Sequence, residues 1–125
     1  VSITTHDPVN HPSHYTSHPS GVETLEVTRQ LSFDCGNAVK YVWRRGDKGT
    51  LLQDLRKAAF YLNDALRNSQ LSMGVPAPAA HILDQVATVE PDPLAAKFYR
   101  AVAEMRWLDA ESVVQQMINQ LDPDE

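Results

Sequence analysis

Residues 36–62 read GNAVKYVWRRGDKGTLLQDLRKAAFYL, and two helices joined by a short Gly/Lys turn account for the whole stretch. On the first helix Asn37, Lys40, Tyr41 and Arg44 recur at i, i+3, i+4 and i+7. On the second, Asp54, Lys57, Ala58 and Tyr61 repeat that spacing. Residues so spaced share one face of a helix. Opposite the first set, at about 100° per residue, fall Cys35, Val39, Val42 and Trp43. Leu51, Leu55, Ala59, Leu62 and Leu66 form the apolar stripe of the second helix, with Asp54, Lys57 and Tyr61 on its flank. Six of the chain's eleven Lys and Arg residues lie between Lys40 and Lys57, so this hairpin is where an anion would bind.

Working outward, the remaining segments also read as helical. Ser20-x-x-Glu23 is a capping-box pattern and predicts a helix over about Gly21 to Gln30. Ser32 can cap the next helix, which Gly46 ends as its C′ residue. Thr50-x-x-Gln53 opens a long third helix to about Asn68. A Pro/Gly-bearing linker, Met73 to Ala80, leads to a fourth helix over Ala79–Val89. Asp92 and Pro93 supply an N-cap and N1 for a fifth, with Leu94, Phe98, Ala101, Val102 and Met105 inward. Asp109 caps a sixth, carrying Val113, Val114, Met117, Ile118 and Leu121. No strand pattern occurs. The expectation is an all-α chain: an extended His/Pro-rich arm (1–19), a three-helix core (20–72), a linker (73–80) and an acidic C-terminal helical hairpin (81–125) that packs on the core or joins subunits.

The 125 residues suit one domain, and no apolar run approaches the roughly 18 residues of a membrane span. The opening VSITTHDPVN does not read as a signal peptide. The lone Cys35 cannot form an internal disulfide, which fits a cytoplasmic protein, and its place on the apolar side predicts a buried thiol. Net charge is −5, and it is unevenly spread: +1 up to Ser72 and −6 from Met73 onward. A small phosphorylated ligand suits the front half better than a long polyanion, so nucleic acid is an unlikely partner.

Within the hairpin, Lys40, Arg44 and Lys57 can clasp a phosphate while Tyr41 and Tyr61 stack on a base. The turn RRGDKGT feeds a helix N-terminus, with Gly46, Gly49 and Lys48 suited to an anion; the plainer alternative is that Gly46 stops one helix and Thr50 starts the next. No GxxxxGK[ST] loop is present. Glu23, Glu26 and Asp54 are candidate Mg²⁺ ligands, although Glu23 also reads as a capping residue. His11, His14 and His18 lack the cysteines of a structural zinc site, while His14-Tyr15 can fold back over the helical face as an acid/base.

The segment from Asp7 to about Leu62 resembles the small SaV-like phage domain. Three elements carry the resemblance in order: P-S-H-Y at 12–15, G-N-x-x-K-Y-x-x-R-x-G-x-K at 36–48, and D-L-x-K-A-x-x-Y-L at 54–62. That family includes a phage nucleoside monophosphate kinase without a P-loop, acting on deoxynucleotides as a high oligomer. The resemblance implies a phage or prophage protein of the host cytoplasm that binds nucleotides as a homo-oligomer. It implies a site of His14, Tyr15, Asn37, Lys40, Tyr41, Arg44, Gly46, Lys48, Asp54, Lys57 and Tyr61. In the phosphotransfer reading, His14, Lys40, Arg44 and Asp54 are catalytic, and Glu26 or Asp54 holds Mg²⁺. The acidic helical tail departs from that kinase. The alternative function is a non-catalytic protein that binds, senses or sequesters a nucleotide.

Overall fold

The computed structural model describes residues 18–47, 50–68 and 73–121, and all regular structure among them is helical. The helices are α1 (Leu25–Thr28), α2 (Phe33–Arg44), α3 (Leu51–Asn68), α4 (Ala77–Val89), α5 (Pro93–Ala103) and α6 (Trp107–Leu121). The expected arm lies outside the described residues up to position 17. No described helix is long and apolar enough to cross a membrane.

The helix ends follow local chemistry. Thr50 Oγ1 accepts the Gln53 N–H at 3.1 Å, starting α3 as its capping box predicts. Asp92 accepts the Leu94 N–H at 3.0 Å, with Pro93 in the first turn of α5. The first helix is corrected to a single turn. Ser20 cannot cap it, because its hydroxyl accepts the Val22 N–H at 3.1 Å and bonds the His18 ring at 2.9 Å. Glu26 instead accepts the Glu23 N–H at 2.8 Å, and the helix starts at Leu25, four residues later than expected. Ser32 holds the N-cap position of α2 without a side-chain cap bond. Helix α4 begins at Ala77 rather than Ala79, and α6 at Trp107, which leaves Asp109 inside its first turn and bonded to Arg106 rather than capping.

Between α5 and α6 the chain reverses at Met105, whose φ is 57°. The Arg106 N–H bonds the Ala101 carbonyl at 2.8 Å and the Met105 N–H bonds that of Val102 at 3.0 Å. This is the Schellman arrangement, with methionine in the place glycine usually fills. Met105 therefore turns outward, half exposed, instead of joining the core.

Helix α2 packs along α3, α3 on α6, α6 on α5 and α5 on α4. One apolar cluster joins both halves: Val39, Val42 and Trp43 from α2, Leu55 and Leu62 from α3, Leu83 and Val86 from α4, Phe98 and Val102 from α5, Val114 and Met117 from α6. Full burial of such a side chain contributes roughly 1.5–3 kcal/mol, so the C-terminal hairpin is held on the core by several of them. Leu51 and Leu121, expected inside, are exposed at the ends of their helices. Gly36 lets α2 approach α1 closely, since a Cβ there would stand 3.2 Å from the Thr28 carbonyl oxygen.

A polar cluster caps this core where α2 ends. The Ser20 N–H donates to His18 Nδ1 at 3.0 Å, so Nδ1 carries the lone pair and Nε2–H donates to Glu90 at 3.0 Å. Arg45 bridges Glu90 at 3.3 Å and Asp92 at 3.5 Å. The His18, Trp43 and Tyr99 rings pack together beneath. Burial holds the Tyr99 phenol well above its ordinary pKa, so it stays neutral.

Candidate functional site

The site is set by how α2 stops. Arg45 has φ −43° and ψ 123°, Gly46 has φ 82°, and the Asp47 N–H returns to the Arg44 carbonyl at 2.9 Å. These values define a type II turn, which needs a left-handed residue in its third position and is met by Gly46. Such a turn leaves the Gly46 N–H without a backbone partner. Asp54, 4% exposed in the first turn of α3, accepts it at 3.0 Å on Oδ2. Its other oxygen, Oδ1, lies 3.8 Å from Arg44 Nε. That separation is an ion pair but not a hydrogen bond, so Arg44 Nε is buried with no hydrogen-bond partner among the described residues.

The opposed faces of α2 and α3 then meet as the repeat predicts. The Tyr41 and Tyr61 rings are parallel within 3°, with centroids 6.0 Å apart. Three cations gather on Tyr41: Lys40 Nζ at 4.7 Å, Lys57 Nζ at 5.3 Å and the Arg44 guanidinium carbon at 5.6 Å from the ring centre. Cation–π attraction holds each near the ring while the three positive charges repel one another. A bound anion relieves that repulsion.

The other expected site residues divide by position. Asn37 stays on the same helix face but spends its amide N–H on the Phe33 carbonyl at 2.8 Å. Gly46 is beside Arg44, with its N–H directed to Asp54 rather than to an open phosphate pocket. Ala58 is fully buried, part of the core rather than the polar face. Glu26 is on α1, where it accepts the Glu23 N–H. No group of three or more metal-ligating side chains occurs among the described residues. His14, Tyr15 and Lys48 lie outside the described residues. Cys35 is buried, and burial raises its thiol above the usual range, as expected of a core cysteine.

Four further side chains complete this face. Phe33 and Phe60 are 75% and 63% exposed, and each meets the edge of Tyr61, at 5.9 and 5.2 Å between centroids. Phe60 stood outside the apolar stripe of its helix, which was a readable signal of an exposed aromatic. Next to them, Asp34 on α2 meets Asp64 on α3. Desolvation, reinforced by the hydrogen bond and charge of Asp64, raises the Asp34 carboxyl to about 6. Asp64 also accepts from Asn68 at 2.9 Å. The face thus runs from a protonatable carboxyl pair, across four aromatic rings, to three cations and a buried aspartate.

Comparison with known proteins adds a family match but no activity. The profile of a family described as a protein of unknown function, DUF3310, matches residues 9–63, a little under half of the chain. No curated protein matches the chain, and no solved structure does. The matched stretch contains α1, α2 and most of α3, hence the face just described apart from Asp64. A DUF3310 domain of unknown function is found at these residues.

Proposed function

We propose that the α2–α3 face binds a phosphorylated nucleoside, with phosphates at Lys40, Arg44 and Lys57 and the base against the aromatic rings. The observation that carries this reading is the gathering of three cations on one tyrosine beside two exposed phenylalanine rings. Arginine supplies a planar fork for phosphate oxygens, lysine a mobile charge, and exposed Phe33 and Phe60 offer surfaces on which any base can stack. The resemblance of residues 7–62 to the SaV-like domain points to the same ligand class, and to a protein of phage or prophage origin.

The activity proposed from that resemblance is nucleoside monophosphate kinase chemistry without a P-loop, in a cytoplasmic homo-oligomer. Phosphoryl transfer is mostly positioning and neutralisation of charge, tasks for which Lys40, Arg44 and Lys57 suffice in kind. The Mg²⁺ proposed on Glu26 and Asp54 asks more, because each carboxylate would give up a hydrogen bond it makes here. That engagement of Asp54 favours a second reading: a non-catalytic protein that senses or sequesters a nucleotide.

Thermal-shift measurements against nucleoside mono-, di- and triphosphates, each with and without Mg²⁺, test the shared proposal. A ligand that binds only the native state raises the melting temperature with its concentration. A flat response across the panel refutes nucleotide binding. Turnover of a deoxynucleoside monophosphate with a triphosphate donor then separates the readings. Binding that needs no metal, with no turnover of any of the four, leaves the non-catalytic one.

A further inference from the structure

The half of the chain from Met73 onward has only three basic residues, Lys97, Arg100 and Arg106, against nine acidic ones. All three basic side chains line a single groove of about 290 Å³ between α5 and α6. Six acidic residues of this half are described, and only Asp109 reaches the groove. Its carboxylate is bonded to Arg106 at 2.6 Å, and Arg106 also bonds Glu104 at 2.8 Å, so that trio of one cation and two carboxylates is net negative by one charge. Lys97 and Arg100 are exposed and form no ion pair among the described residues. Lys97 and Arg100 outweigh that charge, so the concave surface is net positive by one charge in the most acidic part of the molecule.

The helical register explains the groove. Lys97, Arg100 and Ala101 lie at i, i+3 and i+4 on α5, facing Ser112, Val113 and Gln116 on α6. Ala101 is small and Val113 short, so the helices leave a depression whose floor is apolar and whose walls are donors. The ammonium of Lys97, the fork of Arg100, the Ser112 hydroxyl and the Gln116 amide can all donate hydrogen bonds. Four donors on different walls suit a group with several acceptor oxygens and more than one charge. A lone carboxylate, with two oxygens in one plane, would leave some of them unused. The volume lies at the lower limit for small-molecule sites, too small for a large ligand to be enclosed.

We infer that the α5–α6 groove is a second anion site, taking a small phosphate-class oxyanion on Lys97, Arg100, Ser112 and Gln116. It belongs to the part of the chain outside the matched family and does not depend on nucleotide binding at α2–α3. Titration of the full chain with inorganic phosphate at low ionic strength, followed by amide NMR, tests it. Saturable shifts are expected at residues 97–101 and 112–116, retained in Lys57→Gln and weakened at least tenfold in the Lys97→Gln/Arg100→Gln double variant, since two charge-assisted hydrogen bonds are lost. Both substitutions are at exposed positions, so the fold is retained and the amide spectrum confirms it. The inference is overturned if chloride at equal ionic strength gives the same shifts, if none appear, or if the double variant titrates like the wild type. Shifts confined to α2–α3 would overturn it while leaving the nucleotide proposal intact.

Discussion

Replacing Asp54 separates a structural clamp from a metal ligand. Its Oδ2 accepts the Gly46 N–H at 3.0 Å and its Oδ1 faces Arg44 Nε at 3.8 Å, with the side chain almost wholly buried. A hydrogen bond to a charged acceptor contributes about 1.5–3 kcal/mol, and its loss strands a donor in the type II turn. The Arg44 pair adds a Coulomb attraction between about 1 kcal/mol in water and about 4 at an effective dielectric of 20, offset by desolvation; about 1 kcal/mol net is reasonable. Asp54→Ala should therefore cost roughly 3–4 kcal/mol, lowering Tm by about 10–15 °C for a chain of this size. Asp54→Asn keeps an oxygen for the Gly46 N–H and loses the charge, so about 1–2 kcal/mol is expected. Differential scanning calorimetry and urea titration measure both. If Asp54→Asn leaves stability unchanged yet abolishes Mg²⁺-dependent binding or turnover, Asp54 is a metal ligand and the clamp argument is wrong.

Three other substitutions probe separate features. Lys57→Gln removes an exposed cation 5.3 Å from the Tyr41 centroid; it should weaken nucleotide binding about fivefold in calorimetric titration, with Tm unchanged. The Asp34 carboxyl is raised from 3.8 to about 6 by burial and by Asp64, so the folded state binds its proton more tightly than the unfolded state does. Its stabilising contribution is present in full below pH ~3.8 and is lost as pH rises through about 6. Asp34→Asn should flatten that part of the Tm-versus-pH curve and raise Tm by a few degrees above pH 7. Met105→Gly relieves a left-handed residue at a Schellman position and should stabilise by about 0.5–1 kcal/mol, since Met105 is half exposed and loses little packing. A lower Tm for this variant would mean that the methionine packs against something the fold needs.

Features set within a few residues were readable beforehand. The Thr50 cap, the Asp92–Pro93 start of α5 and the stop before Gly46 each depend on one side chain and the backbone beside it. The apolar stripes identified the core, and matching positions on two helices placed Tyr41 against Tyr61. Side-chain commitments across the fold were not readable. His18 meets Glu90, 72 positions away, and nothing near either residue signals the other. Periodicity gives a residue's direction and not its depth, so Asp54 and Ala58 read as a polar flank although both are buried. The short α1 has a similar cause. Ser20 fits a cap by pattern, but its hydroxyl is taken by His18 and Val22.

Arg44 and Arg45 are adjacent in sequence and serve different parts of the fold. The turn directs Arg44 toward Tyr41 and Asp54, with its Nε making no hydrogen bond among the described residues. It directs Arg45 the other way, where its guanidinium donates to the Val42 carbonyl at 2.7 Å and to Glu90 at 3.3 Å, and pairs with Asp92 at 3.5 Å. Arg45→Ala thus leaves Glu90 buried with less compensation and should cost about 2–4 kcal/mol, with any loss of ligand affinity following from a displaced turn. Arg44→Ala removes no hydrogen bond made by its Nε and leaves Asp54 on the Gly46 N–H, so its cost in stability is the net worth of the Arg44–Asp54 pair taken above, about 1 kcal/mol. Its cost should appear in binding instead, at least tenfold for a phosphate that loses the guanidinium's charge and its terminal N–H donors. Measuring Tm and nucleotide affinity on both variants resolves the two roles. An inverted pattern, with Arg44→Ala unfolding the protein and Arg45→Ala selectively abolishing binding, would move the ligand from the α2–α3 face to the Glu90 cluster.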